Sequence, residues 1–484
     1  MPRTHRERED KYDVRPEFRL PPLDDLAGES GSVEAAEVEL LNRYLDTPDW
    51  ALRRAGLTLR RRTGGPDAGW QLKVPDGLAR TELSSRSPNR TVPKALADVV
   101  AGLTRGQPLA PVADLTTQRR TLRLLTADGT LAAEVADDQV SSTTLCEESR
   151  LDSWREVEVE LGPAGDEALL AEVGRRLTAA GARPSRSGSK LGRALGRPLD
   201  APAEAGEPAT LAELVSRYVG VQCADVVAGD LALRAGQPQV HRTRVAIRRL
   251  RSTLRIFADL LDPEPSARLE SELTWFAGLL GEVRDREVLL ARLRQQVAEL
   301  PPELVLGPVV ADLERRLDGE RLRHLRELGP QLRSDRQLDL LEALARWQTE
   351  PPFLEGAQAP AKQVRSYVEA AQDKMRRRLR RALPEAPDQE ELLHRARKAA
   401  KRARYAAELA APGWPKAAAV EAEAKTLQTE LGEHQDSAVS AAFLREAGAA
   451  LGSTAGRNGF TYGVLLALEW QRAAAVRQAL RARY

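Results

Sequence analysis

The hydrophobic period of this chain changes near residue 200, and no single layer of secondary structure accommodates both periods. Before that point, short alternations of apolar and polar residues are broken by turn signals such as Gly64-Gly65-Pro66-Asp67 and Asp128-Gly129. Alternation with a period of two is the signature of half-buried strands. From about residue 210 onward, apolar residues recur three and four positions apart, as on one face of a helix. Between the two regimes, residues 198–210 are rich in Pro, Ala and acid and read as a semi-flexible linker. The expected fold is therefore two-domain α+β, with a strand-rich domain over 1–197, a linker over 198–210 and an all-α domain over 211–484.

Charge narrows the function classes. Charged residues are 30% of the 484, yet the formal net charge is only +2, so any anion-binding role must come from local clustering. Cys146 and Cys223 are far apart and lack metal-ligand spacing, which argues against a disulfide framework and makes the cytoplasm the expected compartment. The N-terminus is charged, without an apolar stretch of signal-peptide type. No run of about 18 apolar residues predicts a transmembrane helix, so no membrane partner is expected.

Eight strands are predicted, over 6–14, 36–46, 56–63, 69–75, 79–84, 116–126, 129–139 and 153–162, with short helices over 93–104 and 165–181. Their faces carry an unusual inventory. In the first strand, Glu7, Glu9 and Lys11 share one face. Two carboxylates at that spacing can share a hard cation such as Mg²⁺ or Mn²⁺, and the ammonium suits an anion carried in with it. Arg60 and Arg62, Lys73, and Arg119 with Arg123 lie on the charged faces of the middle strands. The last strand places Glu156, Glu158 and Glu160 on one face. A sheet with one wet side would mix its charges, but here acids sit on the first and last strands and bases between them. Closing the sheet into a barrel would bring the acids together and enclose the charged face. Such an interior holds bases for a linear polyanion and carboxylates for a divalent metal, the residue types that phosphoryl transfer needs.

These motifs, in this order, resemble the CYTH family of triphosphate tunnel metalloenzymes. The resemblance rests on Glu7-x-Glu9-x-Lys11, Tyr44-Leu-Asp46-Thr47-Pro48, Leu59-Arg60-Arg61-Arg62, Leu72-Lys73, Arg80-Thr-Glu82, Thr117-Gln-Arg119-Arg120, Glu134 with Asp137, Glu156-Val-Glu158-Val-Glu160 and Ser189-Lys190. It implies an eight-stranded antiparallel tunnel barrel that hydrolyses a short triphosphate, inorganic triphosphate first, with Mg²⁺ or Mn²⁺. By position it makes Glu7, Glu9, Glu158 and Glu160 metal ligands, with Glu156 as the alternative in the last run. It makes Lys11, Arg60, Arg62, Lys73, Arg119 and Lys190 the triphosphate contacts, and Glu7, Glu9 and Lys11 the catalytic set.

In the helical half, His241, Arg244, Arg248 and Arg251 stand at offsets 0, 3, 7 and 10, and His394, Arg397, Lys401 and Arg404 repeat those offsets. At about 100° per residue each set falls within an arc of roughly 80° and forms one basic stripe. Each stripe is followed by a second match, Leu280-Gly281-Glu282-Val283-Arg284-Asp285 and Leu431-Gly432-Glu433-His434-Gln435-Asp436. Two homologous halves, near 211–350 and 360–484, are the reading. The stripes lack interleaved aromatics, which disfavours nucleic acid and favours a ligand that is all backbone charge. The stripe segments resemble the CHAD family, named for its conserved histidines. That resemblance implies a pair of pseudo-symmetric four-helix bundles that bind inorganic polyphosphate through those eight residues, with polyphosphate-granule association as a further expectation. Two other readings stand beside this one. One is a non-catalytic polyphosphate-binding or granule-associated protein, and the other is nucleic-acid binding through the stripes.

Overall fold

A computed structural model describes residues 3–28, 30–76, 79–146, 149–196, 206–237, 239–452 and 458–484, with the side chains of 3–7 and 79 outside that description. The chain divides into two compact units. One runs to residue 203 and takes in Leu231–Gln237, and the other holds the rest.

The first unit contains β1 (Arg3–Glu7), β2 (Glu9–Val14), β3 (Ser32–Asp46), α1 (Ala51–Arg54), β4 (Thr58–Thr63), β5 (Gly69–Asp76), β6 (Ala79–Ser85), α2 (Lys94–Thr104), β7 (Ala110–Leu125), β8 (Leu131–Thr144), β9 (Leu151–Leu161), α3 (Glu167–Ala179), β10 (Arg183–Pro184) and α4 (Lys190–Leu195). The strands form one antiparallel sheet in the order β1-β6-β5-β4-β3-β7-β8-β9-β2-β10. The expected closed eight-stranded barrel is not what the ladder shows. Among the described residues there are ten strands, and the hydrogen-bonded order ends at β1 and β10. The opening strand splits at Arg8 because its two halves have different partners: β1 pairs with β6 and β2 with β9. The Arg8 carbonyl accepts from the Leu161 N–H at 3.1 Å, so the break itself is hydrogen-bonded. Only Arg8 separates β1 from β2, so one residue ties the β6 side of the sheet to the β9 side. Strands β3 and β7 begin well before the predicted residues because they pair over their whole length, from Ser32↔Leu125 to Asp46↔Ala110.

The sheet reverses the usual arrangement of a soluble strand protein, since its apolar residues face outward and are covered. Leu59, Leu72, Val74 and Leu83 pack with Leu52 of α1, with Leu96 and Val100 of α2, and with Leu231 and Ala235. Val135, Val157 and Val159 pack under Leu170, Val173 and Leu177 of α3. The Asp166 carboxylate caps α3 by accepting from the Leu169 N–H at 2.8 Å. Each fully buried Leu or Val contributes about 1.5–3 kcal/mol, so covering the outer face stabilises a sheet whose inner face cannot.

The second unit is helical, with α5 (Leu211–Arg234, whose residues from Leu231 belong to the first unit), α6 (Val240–Ile256), α7 (Pro263–Glu299), α8 (Val309–Leu332), α9 (Asp335–Thr349), α10 (Val364–Ala382), α11 (Gln389–Ala410), α12 (Ala417–Gly452) and α13 (Phe460–Arg483). Helices α7 and α12 run unbroken through Gly281 and Gly432. A mid-helix glycine costs only about 1 kcal/mol relative to alanine, and packing on both sides of Gly281 and Gly432 outweighs it. Gly281 leaves room for an arginine, since a Cβ there would lie 2.5 Å from Arg244 Nη1, whereas one on Gly432 would make an ordinary contact with Arg397 Nη2 at 3.6 Å.

Leu72→Ala should lower the stability of the sheet unit by about 2–5 kcal/mol, because Leu72 is fully buried on the outer face. Urea unfolding followed by circular dichroism measures this, and an unchanged midpoint would count against the outer face as the core.

Candidate active site

Strand register gathers the charges. Glu9 lies opposite Glu160 and Lys11 opposite Glu158 on the β2–β9 pair. Glu134 lies opposite Glu160, and Asp138 opposite both Glu156 and Arg119, on β8 with its neighbours. Tyr44 faces Arg60, Thr58 faces Lys73 and Lys73 faces Glu82. Directly paired residues share a face, so one inward row runs across most of the sheet. It encloses a cavity of about 200 Å³ whose lining includes Glu9, Lys11, Arg60, Arg62, Lys73, Arg119, Glu158, Glu160 and Lys190. Nine residues singled out from sequence thus come together. Glu7 continues the row at Arg80 by register, but its side chain lies outside the described residues.

The acid side is a compensated network. The Lys190 ammonium lies 2.9 Å from Asp138, 2.7 Å from Glu156 and 2.7 Å from Glu158. Ser189 starts α4 by accepting from the Gly192 N–H at 3.0 Å, which fixes the helix end that carries Lys190. Arg119 donates to both oxygens of Asp138 at 2.7 Å and to Glu158 at 2.9 Å. Lys11 lies 3.2 Å from Glu9 and bonds Glu158. Burial pushes Glu158 toward protonation, but Lys11, Lys190 and Arg119 together hold it well below the usual carboxylate range. Burial likewise opposes the charge of Lys190, and Glu158, Asp138 and Glu156 overcome it and raise its pKa.

On the basic side, Arg60 donates to neutral partners, Gln71 Oε1 at 2.6 Å and the Tyr44 hydroxyl at 3.2 Å. Burial raises the Tyr44 phenol, but Arg60, Lys190 and Arg62 outweigh it and bring its pKa below the ordinary value. Arg62 donates to Asn42 at 2.9 Å and to Asp67. Lys73 stands 3.8 Å from Glu82.

Glu156 sits elsewhere in the network. It accepts from the Trp154 indole at 2.5 Å and pairs with Lys190, and it is not among the described residues lining the cavity. Arg123 is half exposed and pairs with Glu34 at 3.1 Å. Asp137 accepts from Arg155 Nε at 2.8 Å and Nη2 at 2.7 Å. Sequence reading missed Asp138 and Asp67. Asp138 shares a face with Glu134 four residues earlier, a signal available in the sequence, whereas Asp67 looked only like a turn residue. Asp138, Glu156 and Glu158 offer oxygens within 4.8 Å of one another. With Glu9, Glu134 and Glu160 on the same row, the donors are all carboxylate oxygens, which fit a hard divalent cation.

In the helical unit, α6 carries His241, Arg244, Arg248 and Arg251, and α11 carries His394, Arg397, Lys401 and Arg404. The second matches brace the stripes in parallel. Arg244 pairs with Asp285 at 3.4 Å and Arg397 with Asp436 at 3.9 Å. Arg251 pairs with Glu270 at 3.9 Å and Arg404 with Glu421 at 3.8 Å. The Nε–H groups of Arg248, Arg251, Arg397 and Arg404 are buried without a hydrogen-bond partner among the described residues. The two stripes meet at Lys401, whose pKa is pushed down to about 7 by burial and then by Arg397, Arg248 and Arg244. The halves differ at the histidines. His394 Nδ1 lies 2.8 Å from Gln435, whereas burial and then Arg284, at the corresponding place, lower the pKa of His241.

Comparison with known proteins agrees with this division. Residues 5–193 match the CYTH domain family and residues 217–445 the CHAD domain family. Two uncharacterized proteins of Mycobacterium tuberculosis, from strains CDC 1551 / Oshkosh and H37Rv, are each 37% identical over 506 residues, covering 99% of this chain and 96% of the relative. A solved CHAD domain from the plant Ricinus communis is 26% identical, covering 59% of this chain and 98% of that one, with a TM-score of 0.44. The chain belongs to the family of proteins that join a CYTH domain to a CHAD domain. Its sheet unit is a domain of the triphosphate-tunnel type, a family that uses a divalent metal.

Replacing Lys190 by glutamine strands three carboxylates around a neutral side chain. Lys190→Gln should cost about 3–5 kcal/mol of sheet-unit stability at pH 7, the usual effect of removing one partner from a buried ion network. The lowered Glu158 pKa adds a pH signature. Its contribution is present above the unfolded value of 4.5 and is lost as pH falls through the lower folded value. Thermal unfolding from pH 7 to pH 3 should show the wild type losing stability below about pH 4.5, more steeply than the variant. Parallel curves would overturn the network reading.

Proposed function

We propose that the sheet unit hydrolyses a short triphosphate, inorganic triphosphate first, and that the helical unit binds inorganic polyphosphate. One observation carries the first part: a single cavity joins Arg60, Arg62, Lys73 and Arg119 to Glu9, Glu158 and Glu160. The guanidinium groups match phosphate oxygens in pairs, and Lys73 acts as a point charge. Arg60 already holds its guanidinium in place through Gln71 and Tyr44, so little reorganisation is needed when an anion arrives. Glu9, Glu158 and Glu160 would hold Mg²⁺ or Mn²⁺, with Glu7 two residues before Glu9 in sequence; when bound, such an ion neutralises charge on the phosphoryl oxygens. Lys11 and Lys190 keep the carboxylates ionised. Cavity carboxylates also provide acceptors for the proton of an attacking water.

The second part is supported by the paired stripes. Several positive side chains lie half-buried, with buried Nε–H groups still to be satisfied and no base-stacking aromatics among the stripe residues. A chain of phosphates supplies acceptors along the whole line. Binding there recruits the protein to polyphosphate and so to granules.

Phosphate release from inorganic triphosphate, ATP, thiamine triphosphate and long-chain polyphosphate, with Mg²⁺ or Mn²⁺, tests the first part. Release should be confined to short triphosphates and fall by at least about 100-fold in Glu9→Ala, the scale of losing one charge-stabilising group in an active site. No release from any of them leaves the protein as a polyanion binder. For the helical unit, Lys401 is largely neutral above its pKa of about 7 and regains its proton against a polyanion. Polyphosphate affinity should therefore rise about tenfold as pH falls from 8.5 to 6, the equivalent of one pKa unit of differential interaction. Lys401→Arg, charged throughout, should flatten the dependence in a calorimetric titration.

A further inference from the structure

Asp67 lies in the loop between β4 and β5 and reaches the cavity that the bases line. Its carboxylate accepts from Arg62 Nη1 and, at 3.2 Å, from Gln71 Nε2, while Gln71 Oε1 accepts from Arg60. Asp67 is therefore wired to both β4 arginines proposed to clamp phosphates. Arg62 is nearly buried and Asp67 about half exposed, at 7% and 48%, so Asp67 stands on the solvent side of the pair. The loop is built to hold it there. Gly64 and Gly65 both have positive φ, and a Cβ on Gly64 would lie 2.1 Å from the Glu39 carbonyl oxygen, so the loop is folded tightly onto β3. Burial disfavours the charge, but Arg62 and the bond from Gln71 hold the Asp67 carboxyl ionised.

We propose that Asp67 sets the length of phosphate chain that the cavity accepts, by standing on Arg62 where a further phosphate of a longer chain would bind. This rests on the reading of the cavity as a site for short triphosphates. A carboxylate on a guanidinium copies the charge and the paired geometry of a phosphate. A chain of three phosphates is held by Arg60, Lys73, Arg119 and the side of Arg62 that Asp67 leaves open, and ends short of Asp67. A fourth phosphate meets a fixed negative charge and an arginine that is already neutralised, so longer chains are rejected by repulsion as well as by lost attraction. Asp67 is thus a specificity-determining residue whose effect is read as a ratio between substrates.

The test compares kcat/KM for inorganic triphosphate and inorganic tetraphosphate in the full-length wild type, Asp67→Asn and Asp67→Ala, with the same divalent metal. Wild type should prefer triphosphate. The tetraphosphate-to-triphosphate ratio should rise about tenfold in Asp67→Asn, which keeps the hydrogen bonds and removes the charge, and at least as much in Asp67→Ala. An unchanged ratio overturns the proposal, and so does a parallel loss on both substrates, which would make Asp67 only a support for Arg62. A wild type that prefers tetraphosphate also overturns it. If wild type hydrolyses neither chain, the reading of the cavity fails and the proposal with it, an outcome distinct from hydrolysis with an unchanged ratio.

Discussion

The sheet unit depends on charge compensation out of bulk water. Lys190 contacts three carboxylates, and Arg119 closes on two of the same groups. Buried without partners, these acids would take up protons, and the row would lose the negative charge that suits a metal. With Lys11, Lys190 and Arg119 in place they remain ionised, and the sheet can turn a charged face inward while its apolar face is covered by helices. The same balance limits the chemistry. Asp138 and Glu156 are committed to internal cations, and the open side of the cavity belongs to Glu9, Glu134, Glu158 and Glu160.

The two units arrange positive charge with two geometries. In the sheet, alternation puts every second residue inward, and register then sums contributions from many strands into a compact cavity that suits a short anion. In the helical unit, residues at three- and four-residue spacing form lines, which suit a long one. Both brace their bases with acids. Asp285 and Asp436 lie 3.4 and 3.9 Å from Arg244 and Arg397, looser pairs than the two bonds of Arg119 to Asp138. Bracing fixes a guanidinium before its ligand arrives, so that less side-chain entropy is lost on binding.

Much of the candidate site was legible because strand alternation is a local rule. Arg60 with Arg62, and Glu158 with Glu160, had to share faces wherever the strands went. Asp67 was not legible, because a Gly-Gly-Pro-Asp turn has the same sequence whether its carboxylate faces solvent or folds back onto an arginine. The split of the first strand at Arg8 was equally hidden, since it comes from a change of partner between β6 and β9. The close approach of Arg244 to Gly281 of α7 was hidden as well, because it joins two different helices.

The sequence by itself determined the two-domain division, the strand and helix periods, the charged inward row and the repeated basic stripe, because each follows from spacing within one segment. Tertiary structure alone decided which acids Lys190 neutralises, which carboxylate reaches Arg62, how the sheet's ladder ends, and that Lys401 lies among three arginines with its pKa near 7. Those outcomes depend on distances between segments far apart in the chain, and at such distances burial and Coulomb interaction decide whether a side chain is charged, paired or left to bind a ligand.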